Sequence, residues 1–444
     1  MSFVCVDIGA SGSTRYTSNN GEVNELSNSY VHIPIGETSL VSIDTNDIES
    51  CLEVKITKNE PEQKTVDETK DIDFFPANVL VGVMAAKAGG TPERPSVQKA
   101  KYRQRNNFIS AILACAVTKI KYDITEDIDL YVAVPPSETY GNTAENEFRA
   151  RLVGTYTVEF PKYMGGVTVT FRIKDAKVYA ESYMSATSYF FDMSGRIREQ
   201  ARNFMSGTVL SLDIGASTTD VSIVKQGRFL DSSGRTLHYG GNTAREHLSN
   251  ALSIIEGIDF PIEDLDRAMA EGRLQDGNGW KDVSSLVNAA KQYLADALVA
   301  ELENYFIRVK IPVKTINAIV VSGGGSLQSQ YADGNGQIVK TAEPMSFFVT
   351  KKINTWSQNT VIASYGEDAR HANIKGLYVR AKMDEIKAKQ ANTVSTQAPV
   401  QPQVPVQPQQ TVQPQASVQQ PVQQSEVAQT PVTPVTPVAE QPVQ

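Results

Sequence analysis

The sequence predicts an α/β protein of two lobes, each opened by the same strand-turn-strand unit, and three observations predict it. The pentapeptide Asp-Ile-Gly-Ala-Ser occurs twice, as Asp7-Ile8-Gly9-Ala10-Ser11 and as Asp213-Ile214-Gly215-Ala216-Ser217, each time after an apolar run that reads as a buried strand. A third glycine cluster, Ser322-Gly323-Gly324-Gly325-Ser326, follows the β-branched run 318–321 and reads as a buried strand ending in a tight turn. Segments of helical period at 102–121, 243–255 and 282–305 lie between these strands.

The first strand, 3–6, ends at Asp7. Gly9 and Gly12 remove side chains and open backbone conformations closed to other residues, so consecutive N–H groups can turn inward as a nest for phosphate oxygens. Ser11 and Ser13 add hydroxyl donors. One such unit reads as readily as an ordinary turn. Its recurrence at Asp213, with Gly215, Ser217, Thr218 and Thr219, makes a duplicated anion cradle. A strand-end carboxylate repels a bare phosphate, so Asp7 and Asp213 facing each other suit a hydrated Mg²⁺, which keeps several of its waters.

Residues 30–100 change character and read as an insertion in the first lobe, with the charged run 60–73 and the loop 89–92 as exposed turns. The runs 79–86 and 108–117 read as core helices, well short of the roughly 18 residues a membrane span requires. The helix 102–121 carries Phe108, Ile109, Ile112 and Ala116 on one stripe and leads to a buried strand at 130–134. The basic cluster Lys99, Lys101, Arg103 and Arg105 reads as a solvated helix face in preference to a partner contact.

The second lobe opens at 207. Gly240-Gly241 stands where a helix begins and would place free N–H groups near an anion. The segment 282–305 is first a packing helix; Lys291 on it is a candidate for reaching the adenine or ribose of a nucleotide, against the alternative of a solvated lysine. The glycines 323–325 would let a flat ligand lie directly on backbone. From about 390 the composition collapses into Gln, Pro, Val and Thr, and no Lys or Arg follows Lys389. Such a segment buries no core and is expected to be an extended polyproline-like tail, either a spacer or a docking strip.

At 444 residues, with 41% hydrophobic and 21% charged residues, the chain can fill two cores. Its net charge of −8 argues against direct, sequence-independent DNA binding, which needs Lys and Arg to displace counterions. Three scattered cysteines make neither a disulfide framework nor a zinc site and suit a reducing cytoplasm. The opening residues carry no signal-peptide pattern, and no basic amphipathic helix offers a membrane anchor.

The order of these motifs resembles the actin-like ATPases, which share a ribonuclease H-like duplicated fold with sugar kinases and the large heat-shock chaperones. The likeness covers about 1–385. In its terms 7–15 is similar to the first phosphate loop, 210–224 to the second, and 319–326, including Gly323, Gly324, Gly325 and Ser326, to the adenosine motif. The segments 132–136 and 173–182 resemble the first crossing between lobes, and Asn373-Ile374-Lys375-Gly376-Leu377-Tyr378 the second connecting helix. The nearest likeness is to the ParM/StbA-type plasmid-segregation branch.

The resemblance implies lobes at 1–206 (with the 30–100 insertion) and 207–389 (with a subdomain at about 241–300), followed by a disordered tail at 390–444. It implies ATP as ligand, with GTP as the alternative, and hydrolysis coupled to dynamic cytoplasmic filaments. A small DNA-binding adaptor on a centromere-like site would be the partner, and Glu181 would orient or deprotonate the attacking water. A small-molecule kinase or a chaperone-type switch of the same superfamily is the alternative. One departure stands out: the family's lysine seven positions after the first aspartate is Thr14 here, with Arg15 next. Were Arg15 to point away from the cleft, a positive charge would be missing at the phosphates; an added residue would turn it inward.

Overall fold

The computed structural model describes residues 2–9, 12–41, 48–49, 51–62, 73–89, 91–163, 166–277, 279–353, 361–364 and 366–396. The chain begins with a hairpin of β1 (Ser2–Ile8) and β2 (Ser13–Ser18), continued by β3 (Asn24–Ser27). There follow β4 (Tyr30–His32), β5 (Cys51–Lys58), β6 (Ala77–Gly82), α1 (Val83–Lys87) and α2 (Arg105–Tyr122). The first half closes with β7 (Ile128–Val134), α3 (Thr143–Leu152), β8 (Gly154–Phe160), β9 (Val167–Ala180), α4 (Glu181–Phe190) and the single turn α5 (Arg202–Met205).

The second half repeats the opening with β10 (Thr208–Ile214) and β11 (Thr219–Lys225), edged by β12 (Arg228–Phe229) and β13 (Arg235–Leu237). Next come α6 (Gly241–Glu256), α7 (Ile262–Glu271), β14 (Arg273–Asp276), β15 (Gly279–Asp282) and α8 (Ser284–Val309). The last elements are β16 (Ala318–Ser322), β17 (Ser329–Ala332), β18 (Ile338–Ala342), α9 (Met345–Ile353), β19 (Val361–Ser364) and α10 (Ala372–Thr396).

The two main sheets run β3-β2-β1-β7-β9-β8-β5-β6-β4 and β12-β11-β10-β16-β19. In each, the opening hairpin is antiparallel and the next two pairings are parallel: β1 with β7 and β7 with β9, then β10 with β16 and β16 with β19. The duplication first visible in the pentapeptides therefore extends to whole sheets. Strands of the 30–100 region join the first sheet at its far edge through β8 instead of forming a sheet of their own.

The run 79–86, expected as a helix, is divided: its first half, 79–82, belongs to strand β6, and α1 starts only at Val83. Every residue of β6 is buried, and a short run that is apolar throughout carries no period to separate strand from helix. The helix expected from 102 begins at Arg105, after a single 3₁₀ turn at Lys101–Arg103. The final helix reaches Thr396, past the change in composition at 390; the expected tail lies, from 397 on, outside the described residues.

Each sheet has its own core. Phe108, Ile112 and Phe148 pack on the first sheet, and Leu248, Leu294 and Leu298 on the second. Two helices cross between them. α4 continues directly from β9 of the first sheet, yet Ala186 and Phe190 pack with Val209, Val224 and Val320 of the second. α10 follows β19 of the second sheet, yet Ile374, Leu377 and Ala381 pack with Phe3, Cys5 and Tyr131 of the first. The two helices meet backbone to backbone: a Cβ at Gly376 would stand 1.9 Å from the Met184 carbonyl oxygen.

Candidate functional site

The carboxyl ends of β1, β10 and β16 converge on a cavity of about 700 Å³. Asp7 and Asp213 both line it and are 4% and 7% exposed, so each charge has been taken largely out of water. The two hairpins differ by one residue in their turns: Ile8 pairs with Thr14, whereas Ile214 pairs with Thr219. The longer first turn brings Arg15 into register opposite Asp7, and directly paired residues share a face of the sheet. Arg15 Nη1 lies 3.4 Å from Asp7 Oδ2, so the cationic side chain faces the cavity and Thr14 is the residue turned into the core. In the second hairpin the matching position is Asp220, directly opposite Asp213.

Glu181, the first residue of α4, joins this group. Glu181, Asp213 and Asp220 each offer a carboxylate oxygen within 4.8 Å of the others, and all three residues are buried. Burial first, then the Glu181 charge, pushes the Asp213 carboxyl up to about 7 and Asp220 well above the usual range. Asp7 is also raised by burial and by Glu181, against the lowering effect of Arg15 and Lys101. Crowded, dry carboxylates of this kind are the donor set of a hard divalent cation, which would relieve their repulsion with oxygen ligands. The cluster is not the expected Asp7 and Asp213 pair: Asp7 is balanced by Arg15, and Asp213 is grouped with Glu181 and Asp220.

Lys101 was expected on a solvated helix face. It is instead in the site. Its 3₁₀ turn lies across the cleft, its ammonium bonds both Glu181 and the Ile8 carbonyl, and its backbone N–H donates to Glu138 at 2.9 Å. Burial opposes the ammonium, but Glu181 and Asp7 outweigh it and hold its pKa above the ordinary value. Burial likewise raises Glu138 to about 7. Asn373 on α10 completes the polar frame, donating to Asp213 Oδ2 at 2.7 Å while its Oδ1 accepts from Ser185 of α4 at 2.6 Å.

Of the residues proposed from the sequence, Gly9, Gly12, Ser13, Gly215, Ser217, Thr218, Gly241, Lys291, Gly323, Gly324 and Gly325 border the same cavity. Ser11 lies outside the described residues. Three expected ligand groups are structural instead. Thr219 is buried and donates to the Tyr239 carbonyl at 2.7 Å; Ser326 is buried and donates to Gly323 O at 2.7 Å. Gly240 and Gly241 do not offer free N–H groups to an anion. The amides of Gly241 and Asn242 donate to the carbonyls of Gly215 and Ala216, and that of Gly240 faces Thr243 Oγ1, which pins α6 to the second turn.

A side chain at Gly240 would strike Ala216 O and Thr218 N, each at 2.7 Å. Gly323, at φ 87°, and Gly325 are needed for a similar reason, because Cβ atoms there would meet Ile214 O at 2.4 Å and Gly215 O at 2.8 Å. Gly324 is the member of the triplet with room above it. Lys291 is no solvated lysine: its ammonium donates to Leu327 O, Ser329 Oγ and Glu343 O at 2.9–3.0 Å, and burial lowers it to about 8.

The residues that sequence reasoning missed are Lys101, Asp220, Glu138, Asn373 and Arg370, whose side chain borders Gly324. Asp220 had a signal in the repeat itself, at the position matching Arg15. Lys101 had none, because a loop crossing a cleft leaves no period.

A family model described as the archaeal actin homologue MreB-like, C-terminal, matches residues 211–330. Among solved structures, the actin-like protein Alp7A superposes with a TM-score of 0.63 at 18% identity, over 89% of this chain and 99% of that one. Ta0583, an archaeal actin homologue, gives 0.61 at 16% identity over 87% and 100%. Bacillus thuringiensis ParM with ATP gives 0.56 at 15% identity over 87% and 99%. No curated protein sequence matches the chain. The fold of this chain is the actin-like fold.

Proposed function

We propose that the chain is an actin-like ATPase whose nucleotide-bound form polymerises into dynamic filaments in the cytoplasm, in the service of plasmid or similar replicon segregation. One observation carries the reading: two strand-end aspartates from duplicated hairpins, Glu181 and Lys101 meet in a single open cleft lined by a glycine turn. The structure of ParM with ATP and that of the archaeal homologue with ADP support nucleotide as the ligand, with GTP as the alternative.

Residues Asp213 and Asp220, with Glu181 beside them, would hold Mg²⁺; that ion would offset phosphate charge when bound. The turn 9–13 and the turn Gly215 to Thr218 would supply backbone and hydroxyl donors to the phosphates. Arg15 and Lys101 place two cations beside Asp7, so the absent phosphate-loop lysine is compensated from the second hairpin strand and from the cleft-crossing turn. The carboxylate of Glu181, held in place by Lys101, would orient the attacking water and take its proton. Lys291, braced by three acceptors, would support the base or sugar end of the cavity through position more than through charge. The adaptor that links filament to replicon would be a small basic DNA-binding protein, since this chain carries a net charge of −8.

The test is sedimentation and negative-stain microscopy of the full chain with ATP and Mg²⁺. Filaments that pellet with ATP and disperse after hydrolysis are expected. A folded protein that binds nucleotide yet stays monomeric across ATP, GTP and slowly hydrolysed analogues would overturn the filament reading and leave a small-molecule kinase in its place.

A further inference from the structure

The two hairpins agree in a detail one strand further out. In the first half Arg15 of β2 stands in register between Asp7 of β1 and Glu25 of β3. In the second half Asp220 of β11 stands between Asp213 of β10 and Thr236 of β13. Directly opposed residues share a face of the sheet, so each half lays three polar side chains in one row. In both rows the outermost residue bonds the middle one: Arg15 Nε donates to Glu25 Oε1 at 3.2 Å, and Thr236 Oγ1 donates to Asp220 Oδ1 at 2.6 Å.

Glu25 holds more than Arg15. Its Oε2 accepts from Ser13 Oγ at 3.0 Å, and His371 Nε2 lies 3.6 Å from its Oε1. Burial would raise its carboxyl, but Ser13, Arg15 and Arg370 outweigh that and hold it below the ordinary glutamate value. His371 belongs to the turn before α10, in which the Ala369 carbonyl accepts from Gly323 N at 3.0 Å. The carboxylate is therefore braced from both halves. The backbone of the first turn has a separate anchor in Asn28, which is fully buried: its side chain donates to the Gly9 carbonyl and accepts from Thr14, and its amide donates to Gly12 O at 3.3 Å. What Glu25 fixes is thus the Arg15 side chain, while Asn28 fixes the turn.

Arg15 needs such a hold. A guanidinium facing a single carboxylate closes on it as a two-pronged pair, which spends its charge within the protein. With Nε committed to Glu25, only Nη1 reaches Asp7, at 3.4 Å, and Nη2 has no partner among the described residues. Arg15 lines the cavity, whereas Glu25 does not, so any effect of Glu25 on a ligand passes through its neighbours.

We infer that Glu25 is a positioning residue: by engaging Nε it keeps the guanidinium of Arg15 from closing on Asp7 and holds the remaining donors for nucleotide phosphate. This rests on the nucleotide reading above and adds to it a residue from outside the cavity.

The test is titration calorimetry of the full chain with ADP and Mg²⁺, and with adenosine, which has no phosphate. Charge alone predicts that deleting a carboxylate near the phosphates tightens ADP binding; positioning predicts the opposite sign. Glu25→Ala should weaken ADP by about tenfold while adenosine affinity and melting temperature stay parental, since Glu25 is 41% exposed in its side chain and the turn keeps Asn28. Glu25→Gln, which retains a neutral acceptor for Nε, should fall between parent and Glu25→Ala. In an Arg15→Ala background Glu25→Ala should add nothing, because its effect runs through the guanidinium. If Glu25→Ala binds ADP as tightly as the parent or more tightly, the inference fails and the nucleotide reading stands. An equal loss in the Arg15→Ala background, or a loss of adenosine affinity together with melting temperature, also rejects it. A folded parental chain that binds neither ADP nor adenosine rejects the nucleotide reading, and the inference with it.

Discussion

Replacing Glu181 by alanine separates binding from chemistry. The variant keeps Asp213, Asp220, Arg15 and both turns, so nucleotide should still bind, while loss of the group proposed to receive the water's proton should slow hydrolysis by about 10²–10⁴-fold. Single-turnover phosphate release measured beside nucleotide affinity decides the matter; a parental rate would reduce Glu181 to a helix-terminal carboxylate. Asp213 yields a prediction about pH. Its carboxyl titrates near 7 in the folded chain against an ordinary value of 3.8, so between those values the native state keeps a proton that the unfolded chain has released. The stabilisation is fully present below the lower value and is lost as pH rises through the upper one. Metal-free melting temperature should therefore fall from pH 5 to pH 8, and Mg²⁺ with nucleotide should bind more tightly at pH 8 than at pH 6, because the cation needs the charged carboxylate. A melting temperature that is flat or rises across this window would show that the carboxylates are not desolvated. Asp7 and Asp213 were legible because a pentapeptide was repeated. Lys101 was not, because its place depends on a loop laid over a cleft, and Asp220 only because its partner across the hairpin was not counted.

Between elements, the contact of α4 with α10 is the one that a single methyl group tests. Gly→Ala inside a helix ordinarily stabilises by about 1 kcal/mol. At position 376 the added carbon meets the Met184 carbonyl, which belongs to a helix backbone and cannot rotate away. Overpacking against such a neighbour costs about 1–3 kcal/mol and should win. Gly376→Ala is thus expected to lower stability by up to about 2 kcal/mol in urea denaturation, with cleft residues disturbed as well, since Asn373 sits one turn away. Equal or greater stability would mean that the helices can separate freely. The long helices were legible from their period and lay within a few residues of their expected limits. Strand β6 was not, because a short run buried on both faces looks the same in either conformation. The extra residue in the first turn was present in the sequence, but its effect on Arg15 required the register of the strands.

For the whole molecule, the sequence reading anticipated two related sheets, located both hairpins and placed the two crossings between the lobes by resemblance, but not the packing by which each half lends a helix to the other. That exchange arises from long-range packing of Ala186 and Phe190 on one side and Ile374 and Leu377 on the other, which no local pattern reports. The tail supplies the prediction at this scale. A chain ending at residue 396 keeps all of α10 and should melt at the parental temperature and bind nucleotide with parental affinity. A marked drop in melting temperature would show that the Pro- and Gln-rich segment packs on the body. The exchanged helices also bear on timing. Glu181 opens the helix that the first sheet sends to the second, and Asn373, near the start of the returning helix, grips Asp213 of the second hairpin. Each half thus depends on a helix shared with the other to place its carboxylate in the cleft. A rotation of one sheet against the other must pass through both grips, so hydrolysis would act as a clock that starts when the halves settle together and stops whenever they part.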